Sequence, residues 1–305
     1  MRSVFYYTII ATLIVCNYFS QVTIHRVEKT SRNSADLRKS LRDTISACKA
    51  TVGISVIELE TGDTLSVNNH IDFAMQSVYK FPLALQILQE VQEGRLSLNR
   101  QILLDEEILK RYSWSPLKKQ NPGSTIKMSI DSLLMYMISY SDNLACDKLF
   151  QVVGGPGTTN DFIHKTGFPQ IQIKYTEAEI GADIKRAYLN TSRPSDMTAL
   201  LKAFYERKII NEAGTRHLLH YMTNDSTSHK RMRGKLPQDV AVAHKTGTAN
   251  IGDEFINACN DVGIIAMPGG KHLAVAVFVM NGTMTYADAE RLIATVTRQI
   301  YDFYK

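Results

Sequence analysis

Three short stretches hold the residues with chemistry in them: Ser77-Val-Tyr-Lys80, Ser141-Asp-Asn143 and Lys245-Thr-Gly247, 64 and then 104 residues apart. A serine hydroxyl is a weak nucleophile until a base takes its proton. With Ser77 at the start of a helix, Lys80 lies one turn along on the same face, and its amine can approach the hydroxyl. A lysine serves as that base only where burial or nearby positive charge lowers its pKa. The helix N-terminus adds free N–H groups that can hold an oxyanion. Ser141 offers a hydroxyl to relay a proton to a leaving nitrogen, and the Asn143 amide can hold both a substrate amide and Lys80. Asp142 fits a loop tie or a helix cap. Lys245, Thr246 and Thr248 present one cation and two hydroxyls for a carboxylate. The Thr248 N–H would pair with that of Ser77 as an oxyanion hole, and Gly247 would let a substrate lie close to the strand. Each stretch also has a plainer reading as a cap, a surface lysine or a strand end. A chain of this size should contain about one Ser-x-x-Lys match by composition alone. The order of all three favours nucleophilic catalysis.

The chain has 305 residues, 44% hydrophobic and 21% charged, enough for one large domain or two lobes sharing a boundary. Net charge is +5, with both signs interspersed. The longest basic cluster, His229 to Lys235, lacks interleaved aromatics and reads as a solvated turn, so nucleic acid is not an expected partner. No Cys-x-x-Cys or His-Glu-x-x-His spacing occurs, so neither a metal nor another cofactor is expected. Arg2 precedes an uncharged apolar run from Val4 to Cys16, short for a bilayer span but suited to a secretory signal. The reading is a signal peptide over residues 1–20, cleaved near Ser20-Gln21. It implies a secreted, periplasmic protein with no stable membrane association afterwards, and a monomer is the expected state. Cys48, Cys146 and Cys259 then remain, which allows one bridge at most.

Elements must bring the three stretches together. Ser34 can cap a helix with apolar positions at Leu37, Leu41, Ile45 and Cys48. Thr51–Glu60 alternates like a strand, Thr61-Gly-Asp63 turns, and Thr64–Val67 returns, giving a hairpin. From Phe73 to Tyr205 the pattern is helical, at Ser77–Val91, Ile130–Ser139, Asn143–Val152, Thr158–Lys165 and Pro194–Tyr205. Strands are predicted at Val240–Lys245, Val262–Met267 and His272–Met280. A last helix, Tyr286–Tyr304, has its stripe at Ala289, Leu292, Ile293, Val296, Ile300 and Phe303. The fold class is therefore α+β. Residues 21–305 would form a single catalytic domain of two lobes. One is an α/β lobe of about 31–71 and 232–305, whose strands form an antiparallel sheet with packed helices; the other, about 72–231, is all-helical, and a cleft lies between them.

The three motifs in this order resemble a class A serine β-lactamase and, more distantly, the penicillin-binding peptidases, over essentially the whole mature chain. The resemblance, rather than the periodicity, implies that the sheet has five strands. It also implies hydrolysis of the β-lactam amide through an acyl-serine intermediate without a cofactor. Ser77 would be the nucleophile, Lys80 or Glu177 through a water the proton acceptor, and Ser141 the relay. Class A enzymes carry a glutamate on an omega loop that activates the deacylating water. Glu177, in Thr176-Glu-Ala-Glu-Ile180, fits that place, 97 residues beyond Lys80 and 68 before Lys245, with Glu179 as the alternative. The loop departs from the family pattern at three positions. Gly181 replaces the usual water-holding asparagine, Ala178 a proline, and Tyr175 the arginine whose ion pair pins the loop. Gln76, Trp114 within Tyr112-Ser-Trp-Ser-Pro116 and the Thr-Glu-Ala loop are similar to the PER-like extended-spectrum branch, known for cephalosporin hydrolysis. In that branch Arg231 falls where an arginine holds the substrate carboxylate, with Arg233 competing, and Trp114 would wall the cleft mouth. A D,D-carboxypeptidase or a β-lactam-binding sensor would share the acylation chemistry but keep a long-lived adduct.

Overall fold

Alternation along the last strand sets the architecture. In β9 (His272–Thr283), Leu273, Val275, Val277 and Val279 enter one core, while Ala274, Ala276 and Phe278 enter another. Side chains of period two buried on both faces require cover on both sides of the sheet. The computed structural model describes residues 33–105, 112, 114–122, 125–250 and 255–305. The expected signal peptide lies outside the described residues.

Strand β9 is central to a five-stranded antiparallel sheet. Its companions are β1 (Thr51–Glu58), β2 (Thr64–Val67), β7 (Val242–Asn250) and β8 (Phe255–Ala266), in the order β2-β1-β9-β8-β7. Two terminal helices, α1 (Ser34–Ser46) and α10 (Tyr286–Tyr304), cover one face with Leu37, Leu41, Ile293, Val296 and Ile300. The second core contains α2 (Lys80–Gln92), α4 (Ile130–Ser139), α5 (Asn143–Val153) and α8 (Pro194–Tyr205), against the other face. Ser55 of β1 meets Thr198 of α8 there through a 2.8 Å hydroxyl contact.

Local chemistry explains most element ends. Ser129 caps α4, Asp142 caps α5, and Gly154 closes α5 in the left-handed conformation. The helix expected over Ser77–Val91 opens as a 3-10 turn, Gln76–Tyr79, before α2 begins. Cys48 lies beyond the end of α1, and Cys48, Cys146 and Cys259, the cysteines among the described residues, are free. Helix α9 (Glu212–Thr223) was not expected; its Asn211 cap accepts from the Gly214 N–H. Strand β8 starts well before the expected Val262, and it buries the polar Asn257, Asn260 and Asp261. Two short pairings, β3 (Phe73–Ala74) with β6 (Thr191–Ser192) and β4 (Gln101–Leu104) with β5 (Ile126–Ser129), complete the sheets. The remaining α-helices among the described residues are α3 (Pro116–Gln120), α6 (Pro156–Lys165) and α7 (Glu177–Ala182).

Candidate active site

The turn carrying Ser77 is clamped from both sides. The Asn260 side-chain amide donates to the carbonyls of Ala74 (2.8 Å) and Met75 (3.0 Å), and the Met75 N–H donates to the Asn190 carbonyl at 2.9 Å. Gln76 adopts φ 50°, a left-handed conformation uncommon outside glycine. Edge strand β7 presses against this turn. A Cβ on Gly247 would stand 2.4 Å from the Met75 carbonyl oxygen. Sequence reasoning assigned Gly247 to substrate approach; the close neighbour is instead the chain's own nucleophile turn.

Lys80 is fully buried beneath that turn. Its amine donates to the Ser141 carbonyl (2.8 Å) and to Asn143 Oδ1 (2.6 Å), and it lies 2.9 Å from Glu177 Oε1. The Ser77 hydroxyl donates to the same Glu177 oxygen at 3.4 Å. Ser141, at φ 54°, places its hydroxyl between two amines, 2.9 Å from Lys245 Nζ and 3.5 Å from Lys80 Nζ. Burial lowers the Lys245 pKa to about 8; Lys80 adds to the effect and Asp225 opposes it. Five of the residues proposed from sequence thus form one connected network: Ser77, Lys80, Ser141, Asn143 and Glu177, with Lys245 joined through Ser141.

The glutamate loop is held by residues the motifs did not reveal. Buried Asp147 of α5 accepts the N–H groups of Glu177 and Ala178, both at 2.8 Å, and the Tyr112 hydroxyl at 3.0 Å. Burial, and then the adjoining Glu177 charge, push the Asp147 carboxyl up to about 6. At the loop base, buried Asn190 accepts from the N–H groups of Lys174 (2.8 Å) and Tyr175 (3.0 Å) and returns its amide to the Tyr175 carbonyl at 2.9 Å. These amide contacts hold the loop where Tyr175 stands in place of the arginine. Glu179 turns away from Ser77 and closes a capping box with Thr176, whose N–H and hydroxyl it accepts, each at 2.8 Å. Of the two candidate glutamates, Glu177 reaches the serine.

A cleft of about 410 Å³ opens above the network, lined by Gln76, Ser77, Ser141, Asn143 and Glu177 together with a rim of Trp114, Thr227, Arg231, Thr246, Thr248 and Tyr286. Trp114 is 48% exposed there, its indole N–H donating to the Tyr140 carbonyl at 3.3 Å. The basic cluster is a turn with His229, Lys230, Gly234 and Lys235 exposed, as its composition suggested, but Arg231 points inward and is 1% exposed. Its guanidinium donates to the carbonyls of Gly247 (3.1 Å) and Asn260 (2.7 Å), to the Thr248 hydroxyl (2.6 Å) and to the Tyr286 hydroxyl, and it pairs with Glu290 at 3.3 Å. Arg233 bonds the carbonyls of Thr223 and Val242 instead and does not line the cleft. Thr227, whose hydroxyl meets that of Thr246, and Tyr286 belong to no motif, so spacing alone could not have found them.

The sequence profile of the β-lactamase enzyme family matches residues 36–304. The chain belongs to that family. This β-lactamase is 33% identical over 295 residues to the extended-spectrum β-lactamase PER-1 of Pseudomonas aeruginosa, spanning 97% of this chain and 96% of that protein. It is 32% identical over 271 residues to β-lactamase VEB-1 of the same organism, at 88% and 90% coverage. The crystal structure of a β-lactamase from Chitinophaga pinensis superimposes with a TM-score of 0.86 at 36% identity, covering 88% of this chain and 100% of that one. The extended-spectrum β-lactamase TLA-1 gives 0.86 at 35% identity, covering 89% and 99%. The resemblance read from the three motifs and the α+β fold it implied are both borne out. This β-lactamase is a serine enzyme that hydrolyses β-lactams.

Proposed function

We propose that this β-lactamase works through an acyl-serine intermediate and takes cephalosporins as preferred substrates. The observation that carries the mechanism is the sharing of Glu177 Oε1 by the Ser77 hydroxyl (3.4 Å) and the Lys80 amine (2.9 Å). Ser77 Oγ bonds to the lactam carbonyl carbon, and its proton passes to the Glu177–Lys80 pair. The developing oxyanion sits between the N–H groups of Ser77 and Thr248. The ring C–N bond then breaks. The nitrogen takes a proton from Ser141, which Lys245 and Lys80 resupply. In deacylation a water gives its proton to Glu177 and bonds through oxygen to the acyl carbon. The ester C–O bond breaks, and Ser77 Oγ regains a proton. Lys245, Thr246, Thr248 and Arg231 hold the substrate carboxylate, Asn143 its amide side chain, and Trp114 walls the entrance.

The cephalosporin preference rests on similarity to PER-1 and TLA-1, both named extended-spectrum enzymes. Export rests on the N-terminal apolar run alone. The two-lobed division proposed from sequence is supported by the two hydrophobic cores, one on each face of the sheet. Ser77→Ala tests the mechanism. Hydrolysis of a chromogenic cephalosporin should fall by about 10³-fold or more, and mapping of wild-type protein quenched during turnover should place the acyl mass on the peptide containing Ser77. Turnover near the wild-type rate in Ser77→Ala would sink the assignment.

A further inference from the structure

Arg231 is fully engaged before any substrate arrives. A guanidinium has five N–H donors. Here Nε meets Glu290 at 3.3 Å, Nη1 donates to the carbonyls of Asn260 (2.7 Å) and Gly247 (3.1 Å), and Nη2 donates to the hydroxyls of Thr248 (2.6 Å) and Tyr286. Glu290 is fixed in turn by the Ser228 hydroxyl at 2.8 Å. No N–H of the buried arginine is left to meet a carboxylate, so what it contributes to anion binding must pass through its partners.

Two of those partners line the cleft. Thr248 and Tyr286 accept from the same Nη2, and neither hydroxyl proton has an acceptor among the described residues. A hydroxyl that accepts from a cation becomes a stronger donor. Because the two hydroxyls share one nitrogen, their protons can converge on the two oxygens of one carboxylate. Tyr286 opens α10, its ring centroid 5.3 Å from the Arg231 guanidinium carbon. Burial, opposed by the Arg231 charge, raises the phenol above its ordinary pKa, so it carries its proton at neutral pH.

We propose that Tyr286 binds the substrate carboxylate directly beside Thr248, and that Arg231 is a positioning residue that aims the two hydroxyls. The proposal rests on the reading that this cleft holds the carboxylate.

The test is Tyr286→Phe, which keeps the ring and removes the hydroxyl, assayed with a cephalosporin and with the methyl ester of its carboxylate. KM for the acid should rise about 10-fold with kcat within about twofold, as for a lost hydrogen bond to a charged group. KM for the ester should stay within about twofold of the wild-type value, because that substrate carries no carboxylate charge. The melting temperature should fall far less than in Arg231→Ala, which strips the inner bonds as well. If Arg231 met the carboxylate itself, loss of the phenol would free an N–H for it, so an unchanged or lower KM for the acid would overturn the proposal. An equal rise for acid and ester would overturn it too, by making the hydroxyl a determinant of cleft shape. A fall in melting temperature matching that of Arg231→Ala would also overturn it, because the phenol would then hold the arginine and not the substrate. Should the wild-type enzyme have the same KM for acid and ester, the carboxylate reading fails first and Tyr286 falls with it.

Discussion

Glu177 Oε1 accepts from both Ser77 and Lys80, so one oxygen couples the nucleophile to its buried amine. Spacing made Ser77, Lys80, Ser141 and Asn143 legible, because residues around a helix start have fixed relative positions. Arg231 was legible as a candidate but not as a buried one. Hydropathy assigns a basic cluster to solvent, while five partners satisfy this guanidinium inside. Asp147 had no signature, since an aspartate on a helix reads as a surface charge. Lys245 sets a pH dependence. Its ammonium is charged below about 8, so KM for an anionic β-lactam should rise above that pH while remaining flat between 6 and 7. A KM independent of pH up to 9.5 would remove Lys245 from carboxylate binding. The linked stability effect has the opposite sense. The folded pKa lies below the ordinary 10.5, so this contribution is full above 10.5 and is lost as pH falls through about 8.

Two elements position the chemistry, edge strand β7 and the glutamate loop. Gly247→Ala would drive a methyl into the Met75 carbonyl, 2.4 Å away, and push β7 off the nucleophile turn. We expect a loss of about 1–3 kcal/mol in denaturant unfolding, typical of overpacking, with kcat/KM down by more than stability explains. Full activity would mean the strand and turn adjust independently. Asp147→Ala strips the acceptor from the N–H groups of Glu177 and Ala178. Deacylation should slow more than acylation, and exchange of those two amides should accelerate; protected amides would show that another contact holds the loop. The Thr176–Glu179 capping box was readable as Thr-x-x-Glu, although the sequence reading took Glu179 only as an alternative base. Strand β8 was read too short for a physical reason. Buried Asn260 and Asp261 look like loop residues in isolation, whereas Asn260 clamps the Ser77 turn and Asp261 pairs with buried His244 at 2.8 Å.

Across the whole molecule, one sheet serves two cores, and the cleft opens beside edge strand β7, with Tyr286 at the start of α10 on its rim. The terminal helix was legible from end to end because its apolar stripe is uninterrupted and Thr285 caps it. The extent of β8 was not legible, because its buried polar residues Asn257, Asn260 and Asp261 hide how far that strand runs. Ile293→Ala in α10 should cost about 2–5 kcal/mol as a buried cavity, with kcat at 25 °C within about twofold; a large fall in kcat would show that the far core reaches the site. The central claim is that Glu177 discharges an acyl group from Ser77. It is tested most directly by intact mass over time, for wild-type and Glu177→Ala protein mixed with a cephalosporin. The account predicts a transient adduct in the wild type and a persistent one in the variant. Adducts that persist equally in both, or vanish equally fast in both, would contradict it.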